Sequence, residues 1–323
     1  EKDKNNKDWV YIIDPNKILK LIGIDGINEW TKSIESGVPI KEFLKNRKFD
    51  TNSIVKKKCP LANPIKKDKE LHEQVFNPIL GPYIPGSSLK GAIKTAILDN
   101  ISDNIDRISS LNLSDIRIEK INNNRKEVKW DFYEKADLKL FGEGANYKTT
   151  RFLKVGDAYF TNTQIKVYFT QALNAEDNAD GGKWRLNGAI SNLYEAIPQG
   201  SMTIFQFSID EQLLKLNKDK NSENWNSVDT SFLSRGLFKI INDSSKRAIE
   251  REIELLNSIE LDSAGAQLKT EYEKIKSEIE RLSDNEFIIR VGANSGYNFM
   301  TLRWIDKLPF FQPIDNNRGY FEL

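Results

Sequence analysis

The chain has 323 residues, of which 39% are hydrophobic and 29% charged, and its 48 Lys and Arg nearly balance its 47 Asp and Glu. This composition is typical of a globular protein with about two domains. A formal net charge of +1 gives no whole-chain signal for nucleic acid, although it leaves room for a local basic surface. The single cysteine, Cys59, and the single histidine, His72, exclude an internal disulfide, a cysteine-based zinc site and any catalytic centre that needs two histidines.

The chain has no apolar run long enough to cross a membrane, and its charged start has no signal-peptide core. We therefore expect a cytosolic protein that does not contact a membrane. The residues also offer no recognisable ligand set for a metal or another cofactor, so none is expected.

The N-terminal part predicts a strand, then helices, then a basic segment. Trp9–Ile13 is a strand candidate, and Asp14 before Pro15 is typical of a turn or a helix start. Apolar residues from 18 to 44 favour helix. Residues 41–70 contain ten Lys and Arg against four Asp and Glu. Such a segment is either a solvated loop or a surface that contacts a polyanion, and both interpretations stay open.

Residues 81–98 contain the strongest chemical signal, a turn and a tight loop that lead into a helix. Gly86 permits backbone conformations that other residues resist. Ser87 or Ser88 is a good N-cap for the helix that follows. Free backbone N–H groups at such a helix start can bind an anion.

Two lysines follow this helix start. Lys90 and Lys94 lie four residues apart and share one helix face, and the small Gly91 between them allows close approach. Cations near a helix N-terminus work against the helix dipole, and a bound phosphate would compensate for them. The alternative is a plain capped helix. The order of residues is not that of a Walker A loop, so nucleotide hydrolysis is not implied.

The second half predicts strands, a loop and a long helical region. Residues 172–188 are expected to form a loop, and residues 243–282 are helical with one apolar stripe. Residues 243–286 contain seven basic and twelve acidic residues, and this excess of negative charge argues against RNA binding there. The predicted strands are Phe152–Phe160, Gln164–Thr170, Met202–Ile209 and Phe287–Val291. Helices and strands alternate irregularly, so the predicted fold class is α+β.

Two further segments carry weaker signals. Gly292, Asn294, Ser295 and Gly296 follow a predicted strand, where glycines let the backbone approach a ligand, although an ordinary turn has the same composition. Asp157 could act as a general base or a metal ligand, but a lone Asp in a turn is more often a cap or turn residue.

The run from Tyr83 to Leu98 resembles the RAMP proteins of type III CRISPR–Cas effector complexes, most of all the family of the fifth Csm subunit of type III-A complexes. Three other segments are similar to that family: Phe152–Ala158, Tyr194–Met202 and Arg290–Gly296. The chain departs from the family in having Lys94 where Arg is frequent. It also lacks the usual opening strand and its Pro-hydrophobic-His-hydrophobic-Gly segment, which suggests that an N-terminal piece is missing.

The resemblance implies a fold of ferredoxin-like, RRM-type units with helical and loop insertions. The expected division is a first unit over residues 1–210 and a second, partly helical unit over residues 211–323. The implied function is a non-catalytic subunit that binds the 3′ region of the CRISPR RNA and caps the filament of backbone subunits. Its implied partners are the CRISPR RNA and the neighbouring Csm backbone and small subunits, with target RNA nearby.

The expected contacts with the RNA backbone come from the two glycine-containing segments. They are Ser87, Ser88, Lys90, Gly91, Lys94, Gly292, Asn294, Ser295 and Gly296. One alternative is another type III RAMP subunit, including a backbone-type target-RNA endoribonuclease that uses Asp157. A more distant alternative is a metabolic phosphate-binding enzyme, which would need an acid–base set that the sequence does not reveal.

Overall fold

The structure, a computed structural model, shows helices and short, mostly antiparallel strand pairs, which confirms the α+β prediction. It describes residues 8–65, 70–101, 117–122, 125–130, 141, 148–176, 183–220, 230, 232–233, 236–258, 260–292 and 299. The helices are α1 (Pro15–Glu35), α2 (Ile40–Asn46), α3 (Gly86–Ile101), α4 (Glu211–Lys220), α5 (Leu237–Asn257) and α6 (Ser263–Ile279). None of the described helices is long and apolar enough to cross a membrane.

The strands are mostly short, apart from one long pair. They are β1 (Trp9–Ile13), β2 (Val55–Pro60), β3 (Leu71–His72), β4 (Phe76–Asn77), β5 (Gly81–Ile84), β6 (Arg117–Asn122), β7 (Arg125–Trp130), β8 (Leu153–Val155), β9 (Ala158–Tyr159), β10 (Lys166–Glu176), β11 (Lys183–Ala196), β12 (Phe207–Ile209) and β13 (Glu260–Leu261). Antiparallel pairs join β1 to β2, β4 to β5, β5 to β9, β6 to β7 and β8 to β12, whereas β11 pairs in parallel with β3 and β13.

The chain forms two compact units, each assembled from three separate stretches. Unit 1 contains Glu1–Pro82, Phe160–Ala172 and Gly188–Met202. Unit 2 contains Tyr83–Tyr159, Leu173–Asn187 and Thr203–Leu323. The division into RAMP units at residue 210 stays a prediction.

In unit 1, the start of α1 follows the sequence prediction. Asp14 is the N-cap, its side chain accepts from the backbone N–H of Asn16 at 2.9 Å, and Pro15 opens the helix. The helix bends at Gly23, whose φ of 68° lies in the left-handed region. The chain leaves the helix at Ser36, so the expectation of continuous helix to residue 44 is wrong there. The buried residues of this part are Ile18, Ile22, Phe43, Leu44 and Ile54.

Part of the basic segment is a strand rather than a solvated loop. β2 alternates, with Lys56 and Lys58 exposed and Lys57 and Cys59 turned inward. The Lys57 ammonium lies 2.7 Å from the fully buried Glu195 carboxylate, which gives this inward charge a partner. The pKa of the Cys59 thiol is raised to about 11, mainly by burial and secondly by the negative charge of the nearby Glu195 carboxylate.

In unit 2, α3 packs against α5, and apolar residues of α4 and β8 complete the core. At the end of α3 the buried Asp99 carboxylate accepts hydrogen bonds from Arg247 of α5, from Nε at 3.1 Å and from Nη2 at 2.6 Å. The apolar stripe predicted for the helical region packs α6 onto α5. Its packed residues include Leu268, Tyr272, Ile275 and Ile279.

Several predicted strands and one predicted loop differ from the structure. Residues 287–291 form no strand and pair with no described strand, so the strand prediction is wrong there. Side chains of α5 hold this backbone instead: Ile288 N–H donates to Asn242 Oδ1 at 3.0 Å, and Ser245 Oγ donates to the Ile288 carbonyl at 2.7 Å. Only the last three residues of Met202–Ile209 form a strand. Conversely, β10 and β11 extend into the predicted loop over residues 172–188.

Candidate anion-binding site

The start of α3 is fixed by a backbone contact that admits no side chain. Gly86 is buried, and a Cβ placed on it would lie 2.3 Å from the Val155 carbonyl oxygen and 2.8 Å from the Gly156 carbonyl carbon. The φ of Gly86 is not in the left-handed region. Glycine is therefore needed here for close packing rather than for backbone freedom.

A carboxylate from a distant part of the chain caps this helix. The Gly86 N–H donates to Asp157 Oδ1 at 2.7 Å, across 71 residues of sequence. The N–H groups of Ser88 and Leu89 donate to the Pro85 carbonyl at 2.9 Å and 3.1 Å. A negative charge at this position is favourable for the helix dipole.

The prediction that Ser87 or Ser88 is the N-cap is therefore wrong, because both lie inside the helix that begins at Gly86. The expectation of free N–H groups is also wrong for Gly86 and Ser88. Any anion at this helix start must be held mainly by side chains.

Asp157 has a structural partner on each carboxylate oxygen. Its Oδ1 accepts from Gly86, and its Oδ2 accepts from the Tyr159 hydroxyl at 3.1 Å. The hydrogen bond to Asp157 raises the pKa of Tyr159. These contacts favour the interpretation of Asp157 as a cap over its interpretation as a general base or metal ligand. Across the described ranges, no three metal-ligating side chains cluster.

The predicted contact residues of α3 differ in their surroundings, and the Lys94 ammonium lies 5.2 Å from the centroid of the buried Phe141 ring. Ser87, Ser88 and Gly91 are exposed, and Lys90 and Lys94 are half-buried. Within the described part of the chain, a Cβ on Gly91 would have no neighbour within 4 Å, so the described packing does not call for glycine at this position. The opposite side of the helix is buried in the core through Leu89, Ile93, Ala96 and Ile97.

A cavity of about 300 Å³ lies beside the start of α3. Three cationic side chains line it: Lys90 from the helix, and Arg151 and Lys154 from the segment that ends in β8. Its polar side chains are Ser87 and Gln206, and none of its lining residues is acidic. Burial, then the charges of Lys154 and Lys94, lowers the pKa of Lys90. This arrangement concentrates positive charge that a bound anion would stabilise.

Sequence reasoning missed Arg151, Lys154 and Gln206 as site residues. They reach the helix start only through tertiary contacts, such as the hydrogen bond from Gly156 N–H to the Gln206 carbonyl at 2.8 Å. One usable signal was present, because Lys154 lies within the segment Phe152–Ala158 that resembles the family.

The second predicted segment is described only at its start. Gly292 is exposed with a φ of 109°, a conformation that favours glycine. Asn294, Ser295 and Gly296 lie outside the described residues. The neighbouring Arg290 is engaged internally, with its guanidinium 4.5 Å from the centroid of the Phe299 ring and its Nη1 donating to the Tyr272 hydroxyl at 3.3 Å.

Comparisons with known proteins identify the family of the chain. The sequence model of the RAMP superfamily matches residues 62–297. The "CRISPR system Cms protein Csm5" of Methanocaldococcus jannaschii is 25% identical over 240 residues, covering 74% of this chain and 50% of that protein. The chain thus spans about half the length of this curated relative.

Two solved structures share the fold. The crystal structure of T. onnurineus Csm5 matches with a TM-score of 0.57 at 18% identity, covering 93% of this chain and 86% of that chain. A chain of a cryo-EM Csm–crRNA–target RNA ternary complex of a type III-A CRISPR–Cas system matches with a TM-score of 0.58 at 17% identity, covering 92% and 80%. Since the family match extends over most of the sequence, the chain belongs to the RAMP superfamily.

Proposed function

We propose that this chain is an RNA-binding subunit of a type III-A CRISPR interference complex, which binds the 3′ region of the CRISPR RNA and caps the filament of backbone subunits. Its neighbours would be the Csm backbone and small subunits, with target RNA close by. The similarity to Csm5 supports the class of complex. The observation that carries RNA binding is the cavity beside α3, with three cations and no acidic residue in its lining.

The chemistry of the site fits the RNA backbone. The ammonium groups of Lys90 and Lys94 would contact phosphate, and the hydroxyls of Ser87 and Ser88 would donate hydrogen bonds to phosphate oxygens. Such contacts position the RNA without reading its sequence. Gly91 leaves room for the strand to approach the helix. The loop Gly292–Gly296 is proposed as a second segment that contacts the backbone of the same RNA.

The proposed subunit is non-catalytic. A backbone-type endoribonuclease would need an acidic residue presented to target RNA, and Asp157 is the candidate that the sequence offers. Both of its oxygens already accept hydrogen bonds, from Gly86 and Tyr159, and this supports a structural role for the carboxylate.

Replacing Lys90 and Lys94 together by alanine tests the site. We expect the affinity for RNA to fall about tenfold at low salt for every sequence, because two phosphate contacts are lost. The slope of log K against log salt should become shallower by about 1.4, which is the value for two phosphates of a single strand. Fluorescence anisotropy over a salt series measures both quantities.

The matched control is the pair Lys239→Ala and Lys274→Ala, which removes the same charge from exposed positions of α5 and α6. Its salt slope should equal that of the wild type. An unchanged slope for the Lys90 and Lys94 variant, or an equal loss in the control, would count against this site.

Gly91→Ala separates RNA binding from stability. Alanine in a helix is more favourable than glycine by about 1 kcal/mol, and the added methyl group has no neighbour within 4 Å among the described residues, so the Tm should rise. The same methyl group lies on the face that the RNA would approach, so RNA affinity should fall. A more stable variant with wild-type RNA affinity would show that RNA does not approach this face. Thermal unfolding and anisotropy on one preparation give both values.

A further inference from the structure

The cavity beside α3 is larger and chemically more varied than one phosphate requires. Its volume of about 300 Å³ lies at the lower end of the range for sites that hold small molecules. Its three cations come from two segments of unit 2, Lys90 on the helix and Arg151 and Lys154 beside β8. These cations can donate hydrogen bonds but cannot accept them.

Gln206 adds a different kind of group to this lining. Its side-chain amide can both donate and accept hydrogen bonds, a property that it shares only with the Ser87 hydroxyl among the lining side chains. Gln206 is exposed, and within the described part of the chain its amide makes no hydrogen bond to another side chain or to the backbone. The amide is therefore available to a ligand.

The backbone around Gln206 is held in place. Its carbonyl accepts from Gly156 N–H at 2.8 Å, and three residues earlier the Thr203 hydroxyl donates to the Tyr159 carbonyl. The Val155–Gly156 backbone packs against the start of α3 at Gly86. One short segment thus connects Gln206 to the helix that carries Lys90.

We propose that this cavity binds one ribonucleotide unit of an RNA strand, with its phosphate on Lys90, Arg151 and Lys154 and its ribose 2′-OH on the Gln206 amide. The inference rests on the proposed RNA-binding function and adds selectivity to it. The 2′-OH both donates and accepts hydrogen bonds and is the group by which proteins distinguish RNA from DNA. The Gln206 amide can likewise both donate to and accept from the 2′-OH. The three cations bind a phosphate that RNA and DNA share, so they do not distinguish the two nucleic acids.

Gln206→Leu tests the inference, because leucine has a similar size and no hydrogen-bonding group. The full chain is titrated with labelled single-stranded RNA and with DNA of the same sequence. We expect the wild type to prefer RNA, and Gln206→Leu to weaken RNA binding about fivefold while leaving DNA affinity unchanged. Gln212→Leu, the same change at an exposed position of α4, should alter neither affinity.

Two outcomes would overturn the role of Gln206. One is equal affinity of the wild type for RNA and DNA, and the other is a Gln206→Leu variant whose ratio of RNA to DNA affinity equals that of the wild type. The double change Lys90→Ala and Arg151→Ala distinguishes a failure of the proposed RNA-binding function from a failure of the role of Gln206 alone. It should weaken RNA and DNA binding alike, and if it weakens neither, the phosphate site itself is in the wrong place.

Discussion

Gly86→Ala should lower the free energy of unfolding by about 3 kcal/mol, at the upper end of what added atoms cost in a packed interior. The new Cβ would lie 2.3 Å from the Val155 carbonyl oxygen, and two backbones meet there, so no flexible side chain can move aside. Relief requires the helix start to move away from β8. Such a shift would also lengthen the 2.7 Å hydrogen bond from Gly86 N–H to Asp157.

Gly91→Ala is the matched control for this prediction, since it makes the same change five residues further along α3. Its Cβ has no neighbour within 4 Å in the part of the chain that the structure describes, and we expect the variant to have a higher Tm. Chemical denaturation followed by circular dichroism compares the two variants. The change in the free energy of unfolding should have opposite signs in the two variants. A Gly86→Ala variant as stable as Gly91→Ala would show that the helix start does not pack on β8 as described.

Arg247→Met should also lower the free energy of unfolding by about 3 kcal/mol. The Asp99 carboxylate is 1% exposed, and Arg247 donates to it from two nitrogens. Removing the cation leaves a buried negative charge, which costs more than the pair itself contributes. Because these residues join α3 to α5, we expect the loss of stability in unit 2, which also carries the proposed RNA site.

Two comparisons sharpen this prediction. Lys246→Met, at the position before Arg247 on α5, breaks an ion pair with Glu280, whose carboxylate is far more exposed than that of Asp99. The Tm of this variant should stay near the wild-type value. Adding Asp99→Asn to Arg247→Met removes the buried charge and should recover part of the lost stability. If Arg247→Met loses no more stability than Lys246→Met, the buried pair does not hold the two helices together.

The local elements of the site were predictable from the sequence, whereas its contacts were not. The helix after residue 85 and the lysines on one of its faces follow from spacing alone. The cap of this helix could not be predicted in the same way. Ser87 and Ser88 satisfy the usual N-cap rule, whereas the carboxylate that caps the helix, Asp157, lies 71 residues away in the sequence. Arg151 and Gln206 were missed for the same reason, since only tertiary contacts bring them to the helix start.

Strand predictions failed where side chains replaced a neighbouring strand. Residues 287–291 have the apolar composition of a strand, and Phe287 and Ile289 do pack on the core of unit 2. Their backbone partners, however, are Asn242 and Ser245 of α5, which no periodicity rule reveals. By contrast, β1 and the start of α1 depend on local signals, a short apolar run and an Asp-Pro cap, and both were predicted correctly.

Purification of the tagged chain from its native host, followed by sequencing of the bound nucleic acid and identification of the bound proteins, tests the central claim most directly. We expect short CRISPR RNAs together with other Csm-type subunits from the wild type, and less RNA when Lys90 and Lys94 are replaced by alanine. Recovery of the protein without RNA and without such subunits would contradict the proposed function and would leave the cavity beside α3 as a site for a small anion.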